Sequence, residues 1–90
     1  MRFRFDPEKN REVQRRHGVS LEEAQELFDQ SYIVDRKSDE PEQFRAIGWS
    51  QGRLCSVIFE IRKDIEGQYY HLITAWKATK QEEQAYANQI

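Results

Sequence analysis

The segment Leu54–Ile61 constrains this chain most. Cys55, Val57, Phe59 and Ile61 alternate to one side, and Leu54 and Ile58 fall on the other. A strand apolar on both sides has to be covered on both, which predicts a central position in a sheet. Turn signals bracket it. Ser50-Gln51-Gly52-Arg53 precedes it and Lys63-Asp64-Ile65-Glu66-Gly67 follows. Both read as hairpin connections, so Gln43–Trp49 and Tyr69–Ala75 are its predicted neighbours.

The remaining elements follow from local signals. Arg2-Phe3-Arg4-Phe5 alternates with period two and predicts a short strand. Asp6-Pro7 is an N-cap followed by proline at the first helical position, and Gly18 supplies a left-handed close. The helix between them has Val13 as its one clear apolar residue. Ser20-Leu21-Glu22-Glu23 is a capping box, and Leu21, Ala24, Leu27 and Phe28 form one helical stripe ending near Asp29. Tyr32-Ile33-Val34 predicts a short strand, and Arg36–Glu42, with Pro41, a charged loop. Thr79-Lys80-Gln81-Glu82 is a second capping box opening a C-terminal helix. The expected order is β-α-α-β-β-β-β-α, an α+β fold. A chain of 90 residues holds one domain, residues 1–90.

Composition closes several routes. The single Cys55 excludes an internal disulfide and a multi-thiolate zinc site. No apolar run is long enough to cross a membrane, and no signal peptide is visible, so a cytoplasmic setting is expected. There is no glycine-rich phosphate loop, no His-Glu-x-x-His pair and no serine elbow, and only two histidines. No metal and no cofactor is expected.

The formal net charge of -2 argues at first sight against a nucleic-acid partner, but the charge is segregated. Residues 1–19 hold six Lys and Arg against three Asp and Glu; residues 20–42 hold two against eight; residues 43–80 hold six against three. Arg62, Lys63, His71, Lys77 and Lys80 lie on or beside the last strands, Arg45 is on the neighbouring strand, and Tyr69, Tyr70 and Trp76 lie between them. Cations hold phosphates and rings stack on bases, so this mixture suits single-stranded RNA. The same residues serve equally as edge charges and core rings. Arg15-Arg16-His17 complements the carbonyl end of a helix, or Arg16 and His17 join a functional surface. The acidic block is a solvated face or a dock for a basic partner.

Several of these segments resemble one family. Phe5-Asp6-Pro7-x-Lys9-Asn10 is similar to the opening motif of the BrnT toxins. Arg16-His17-Gly18-Val19-Ser20-Leu21-Glu22-Glu23-Ala24 resembles its next motif. Ala46-Ile47-Gly48 and Gly52-Arg53-Leu54 resemble its central hairpin, and Ile73-Thr74-Ala75-Trp76-Lys77-Ala78-Thr79 its last-strand motif. Gln43, His71 and Trp76 stand where the family usually carries Arg.

The resemblance implies a small RelE-like fold and the toxin half of a type II toxin–antitoxin pair: a metal-independent endoribonuclease that cleaves RNA and inhibits growth. It implies a BrnA-like antitoxin with a ribbon-helix-helix domain, through which alone operator DNA is bound. Under this reading His17, His71 and Lys77 are the candidate catalytic residues. Lys9, Arg16, Arg45, Arg62, Tyr70 and Trp76 are the candidate RNA contacts. The alternative is a catalytically weakened binding module that holds the antitoxin and acts as its co-repressor.

Overall fold

A computed structural model describes residues 1–89; Ile90 lies outside them. The elements are β1 (Arg2–Arg4), α1 (Pro7–His17), α2 (Leu21–Ala24) continued by a 3-10 helix (Gln25–Asp29), β2 (Tyr32–Asp39), β3 (Glu42–Ser50), β4 (Arg53–Asp64), β5 (Gly67–Lys77) and α3 (Lys80–Gln89). The five strands form one sheet in the order β1-β5-β4-β3-β2. β1 runs parallel to β5 and every other pair is antiparallel. The α+β class and the element order are those expected, and β4 has a neighbour on each side.

Local chemistry builds the helices. Asp6 accepts a hydrogen bond from the Glu8 N–H at 2.9 Å, and Gly18 closes α1 at φ 71°. Val13 alone of α1 is buried. The Asn10 side-chain oxygen accepts from the Leu21 N–H at 2.6 Å and ties α1 to α2. The Ser20–Glu23 box is present, and so is its counterpart at α3: Thr79 Oγ1 accepts from the Glu82 N–H, and a Glu82 oxygen from the Thr79 N–H. The Gln51-Gly52 turn has φ of 54° and 75°, the paired left-handed geometry whose twist matches a two-residue hairpin.

The strands β2 to β5 all exceed their expected length, β2 the most. Arg36–Glu42 was expected as a loop, but β2 continues to Asp39 and only Glu40-Pro41 turns. β2 is an edge strand, so its outer hydrogen-bonding side meets water and polar side chains are tolerated there. The ladder from β3 holds it extended, with a bulge between Arg36 and Ser38. The guanidinium of Arg36 lies over the Phe44 ring and pairs with Glu42 at 3.0 Å. The second hairpin likewise shrinks to Ile65-Glu66 between Asp64 and Gly67.

Cys55, Val57 and Phe59 of β4 and Leu72 and Ala75 of β5 face α1 and α2, where Val13, Val19, Leu21, Ala24 and Leu27 complete the core. Each fully buried leucine or valine contributes roughly 1.5–3 kcal/mol. Phe3, Phe28, Phe59 and Tyr70 close the β1 end of this core as a ring cluster, with centroids 4.6–5.9 Å apart. α3 lies against β2 and β3, where Glu82 bonds to side chains of the opposite sheet face.

Candidate active site

Strand alternation divides the candidate residues between two sheet faces. Register places Arg45, Arg62, His71 and Trp76 on the α3 face, away from the core. His71 and Trp76 share that face although five residues separate them, because β5 carries a bulge opposite Ile58/Phe59. Tyr70 takes the core face and packs against Phe59 at 4.6 Å between centroids.

On the α3 face each described arginine meets a carboxylate. Arg45 donates to both oxygens of Asp35, at 3.0 and 2.5 Å, and to Glu82 at 3.2 Å. Arg62 holds Glu60 at 2.7 Å, and Gln43 holds the other Glu60 oxygen at 2.8 Å. Arg2 and Arg4 share Asp64, at 2.8 and 2.7 Å, and both lie over the Tyr69 ring. His71 stands opposite Glu60 on β4 and Arg4 on β1. Burial, and then the charge of Arg62, push its imidazole below the ordinary value of 6.5, which favours the neutral form. The hydrogen bonds from Gln43 and then Arg62 hold the Glu60 carboxyl below its usual range. Trp76 donates its indole N–H to Glu82 at 3.0 Å. Arg45, Trp76 and Glu82 line a half-open cleft of about 450 Å³ with Lys37, Thr79 and Gln81.

The core side of the opposite end of the sheet differs. His17 ends α1, and Arg53 of β4 donates a hydrogen bond to the carbonyl of Gly18, the next residue. Lys77 stands opposite Cys55 at the end of β5, and Ala78 donates its N–H to the Leu54 carbonyl at 3.0 Å. Arg53 and Cys55 are two residues apart, so Arg53 shares Lys77's face as its diagonal neighbour. Both charges act on Cys55, whose thiol burial nevertheless pushes up. Among the described residues no carboxylate forms an ion pair with His17, Arg53 or Lys77, and Arg16 pairs only with Glu12 at 3.8 Å. Lys9, on the first turns of α1, pairs with Glu12 at 4.0 Å. Thus the segments that carry His17, Arg53 and Lys77, far apart in sequence, adjoin one another at one end of the sheet, where Arg53 and Lys77 supply unpaired positive charge.

A family model described as the ribonuclease toxin BrnT of type II toxin–antitoxin systems matches residues 5–82 of the 90-residue chain. The chain belongs to the BrnT family. No curated protein sequence matches it. Membership makes it a ribonuclease toxin whose system type implies an antitoxin partner. The match spans α1, the hairpin turn and the β5–α3 junction, the segments that deliver His17, Arg53 and Lys77.

Among the described residues, no group of three or more His, Cys, Asp and Glu side chains is placed to hold a metal ion. No helix is long and apolar enough to cross a membrane. Arg53 belongs to the hairpin motif Gly52-Arg53-Leu54 but is not among the site residues expected from the sequence. The available signal was its parity with Cys55: the residue just after the turn shares the face on which α1 ends. Asn10, also in a family motif, is engaged structurally by Leu21.

Proposed function

We propose that residues 1–90 act as one RelE-like domain, a metal-independent endoribonuclease working at the cationic end of the sheet in the cytoplasm. The observation that carries this reading is the convergence of the His17-Gly18 segment, the Gly52-Arg53 hairpin and the Lys77-Ala78-Thr79 segment. Cleavage of RNA without a metal needs a base for the 2′-hydroxyl, fixed charge at the phosphate and a proton for the leaving oxygen. The 2′-oxygen attacks phosphorus and the bond to the 5′-oxygen breaks. The products are a cyclic phosphate and a 5′-hydroxyl that takes up a proton.

His17 is the proton carrier in this scheme, since an imidazole gives and takes protons near neutrality. Lys77 holds the phosphate, and Arg16 and Lys9 extend the cationic surface along α1. Trp76, next to Lys77 in sequence, offers a ring to a base at the mouth of the cleft. Arg45, Arg62 and His71 line the path of a strand that continues across the α3 face, and Tyr70 supports it from the core side. The activity inhibits growth, and a BrnA-like antitoxin with a ribbon-helix-helix domain neutralises it and alone contacts operator DNA.

A gel assay with EDTA tests the scheme. The purified protein should cut RNA, and His17→Ala and Lys77→Ala should each lower the rate on the order of 10²–10⁴-fold. No cleavage by a folded protein refutes the enzyme. Undiminished cleavage by both variants moves the chemistry away from this end.

One observation favours a second reading. The guanidiniums of Arg4, Arg45 and Arg62 are all engaged by carboxylates, which fits a binding module better than an RNA groove. Under it the chain holds its antitoxin and serves as co-repressor. Expression in a bacterial host separates the two, because only the toxin arrests growth.

A further inference from the structure

We propose that Arg53 is the residue that grips the phosphate of the RNA between His17 and Lys77, with its side chain pre-set by the Gly18 carbonyl. The inference rests on the ribonuclease reading and gives it a residue which that scheme leaves unassigned. Three observations carry it.

Arg53 is half-buried, and one of its amino groups donates to the Gly18 carbonyl, so the long side chain is already fixed across the gap between the β3–β4 turn and the α1–α2 connection. A guanidinium has five N–H donors in a planar fork. The Gly18 carbonyl engages one edge of that fork. Among the described residues no carboxylate pairs with Arg53, whereas Arg2, Arg4, Arg45 and Arg62 each hold one. Finally, Arg53 adjoins the segments that carry both groups the scheme uses. His17 directly precedes the residue it bonds, and Lys77 is its cross-strand diagonal neighbour on the same face.

A side chain ordered before the ligand arrives loses little further freedom on binding, and a planar fork meets two phosphate oxygens at once. A lysine at this position would supply the charge without the fork. Arg53 is therefore placed to stabilise the extra negative charge that develops on the non-bridging oxygens as the 2′-oxygen attacks.

The test uses two arms on the full chain. In the first, single-turnover cleavage of a short mixed-sequence RNA in EDTA is followed for the wild type, Arg53→Ala and Arg53→Lys. Arg53→Ala should slow cleavage on the order of 10²-fold, the loss seen when a single transition-state donor is removed. Added guanidinium ion should restore part of the rate to Arg53→Ala and none to Lys77→Ala. Arg53→Lys, which keeps the charge and a donor for Gly18, should remain slow although folded; it carries the test if Arg53→Ala does not fold. In the second arm, the uncleavable 2′-deoxy oligonucleotide of the same sequence is titrated into ¹⁵N-labelled wild type. The Arg53 Nε–H resonance should shift on binding. Wild-type cleavage rates in both variants, or an Arg53 resonance that does not move, overturn the proposal. A shift of that resonance in a protein that cuts no RNA leaves the phosphate grip standing and refutes the ribonuclease reading alone.

Discussion

Replacing Glu82 probes how α3 is held. Glu82 is the one buried residue of α3, so a carboxylate stands where an apolar anchor is usual. Its Oε1 accepts from the Thr79 N–H at 2.9 Å and the Trp76 indole at 3.0 Å, and its Oε2 from Arg45 at 3.2 Å. Glu82→Ala deprives all three donors. The half-buried Trp76 N–H costs roughly 1–3 kcal/mol when left unmade. Loss of the cap at Thr79 costs about 1 kcal/mol, because that exposed N–H regains water. Arg45 keeps both Asp35 oxygens and adds little. The expected loss is about 2–4 kcal/mol. Glu82→Gln presents an amide oxygen that can still serve Thr79 and Trp76, and loses mainly the charge facing Arg45; its expected cost is about 1 kcal/mol. Urea denaturation of both variants reads this directly, and melting should fall by about 4–8 °C per kcal/mol in a domain of this size.

The same residue carries a pH signature. Burial works to raise the Glu82 pKa, but the Thr79 N–H, Trp76 and Arg45 bring it below the ordinary 4.5. A lowered carboxyl contributes stability that is present above its unfolded value and lost as pH falls through the folded one. The wild type should therefore lose this increment below about pH 4.5, and Glu82→Gln should not. A loss under about 1 kcal/mol in Glu82→Ala, or equal losses in the two variants, would refute the assignment of α3 docking to this carboxylate.

Two further perturbations act on Asp64 and Gly48. Asp64 is held down to about 2, chiefly by its hydrogen bond from Arg2, against an ordinary value of 3.8. Its contribution should be present above that ordinary value and vanish as pH drops toward about 2, so Asp64→Asn should flatten the acid limb of the stability profile in that window. At Gly48, an added Cβ would sit 3.1 Å from Tyr32 Cβ and 3.2 Å from Leu27 Cβ. Gly48→Ala should cost about 1–3 kcal/mol by urea denaturation, because both near atoms are Cβ atoms that every residue but glycine keeps; an unchanged urea midpoint would refute the steric account.

The parts of the fold legible in the sequence are those whose cause is local. Asp6-Pro7 with Gly18, Ser20 with Glu23, and Thr79 with Glu82 each satisfy backbone groups within a few residues. What was not legible depends on partners far away in sequence. Arg36–Asp39 is extended because β3 offers it a ladder, not because its side chains prefer a strand. β1 lies parallel to β5, with Arg2 opposite Tyr69 far along the chain and no short-range signal for that choice. The candidate site shows the same division. Tyr70 and His71 looked like members of one basic and aromatic patch, yet adjacent residues in a strand point to opposite faces, and only the bulge in β5 puts His71 and Trp76 together. Arg53 meets Gly18 across 35 residues of sequence, which no periodicity encodes.

The net charge of -2 takes its meaning from the same geometry. An overall charge governs RNA affinity only if the charges are spread evenly, and here they are not. Asp35, Glu60, Asp64 and Glu82 lie within hydrogen-bond reach of the arginines of the α3 face, so their charges cancel locally. At the other end, Arg53 and Lys77 have no such partners among the described residues, and this end stays cationic. Interactions between exposed charges fade over a Debye length of about 8 Å at physiological salt, so a phosphate docked there responds to those cations more than to acids elsewhere on the surface. The acidic surplus acts at long range, while the unpaired cations Arg53 and Lys77 dominate the field close to the start of β4 and the end of β5.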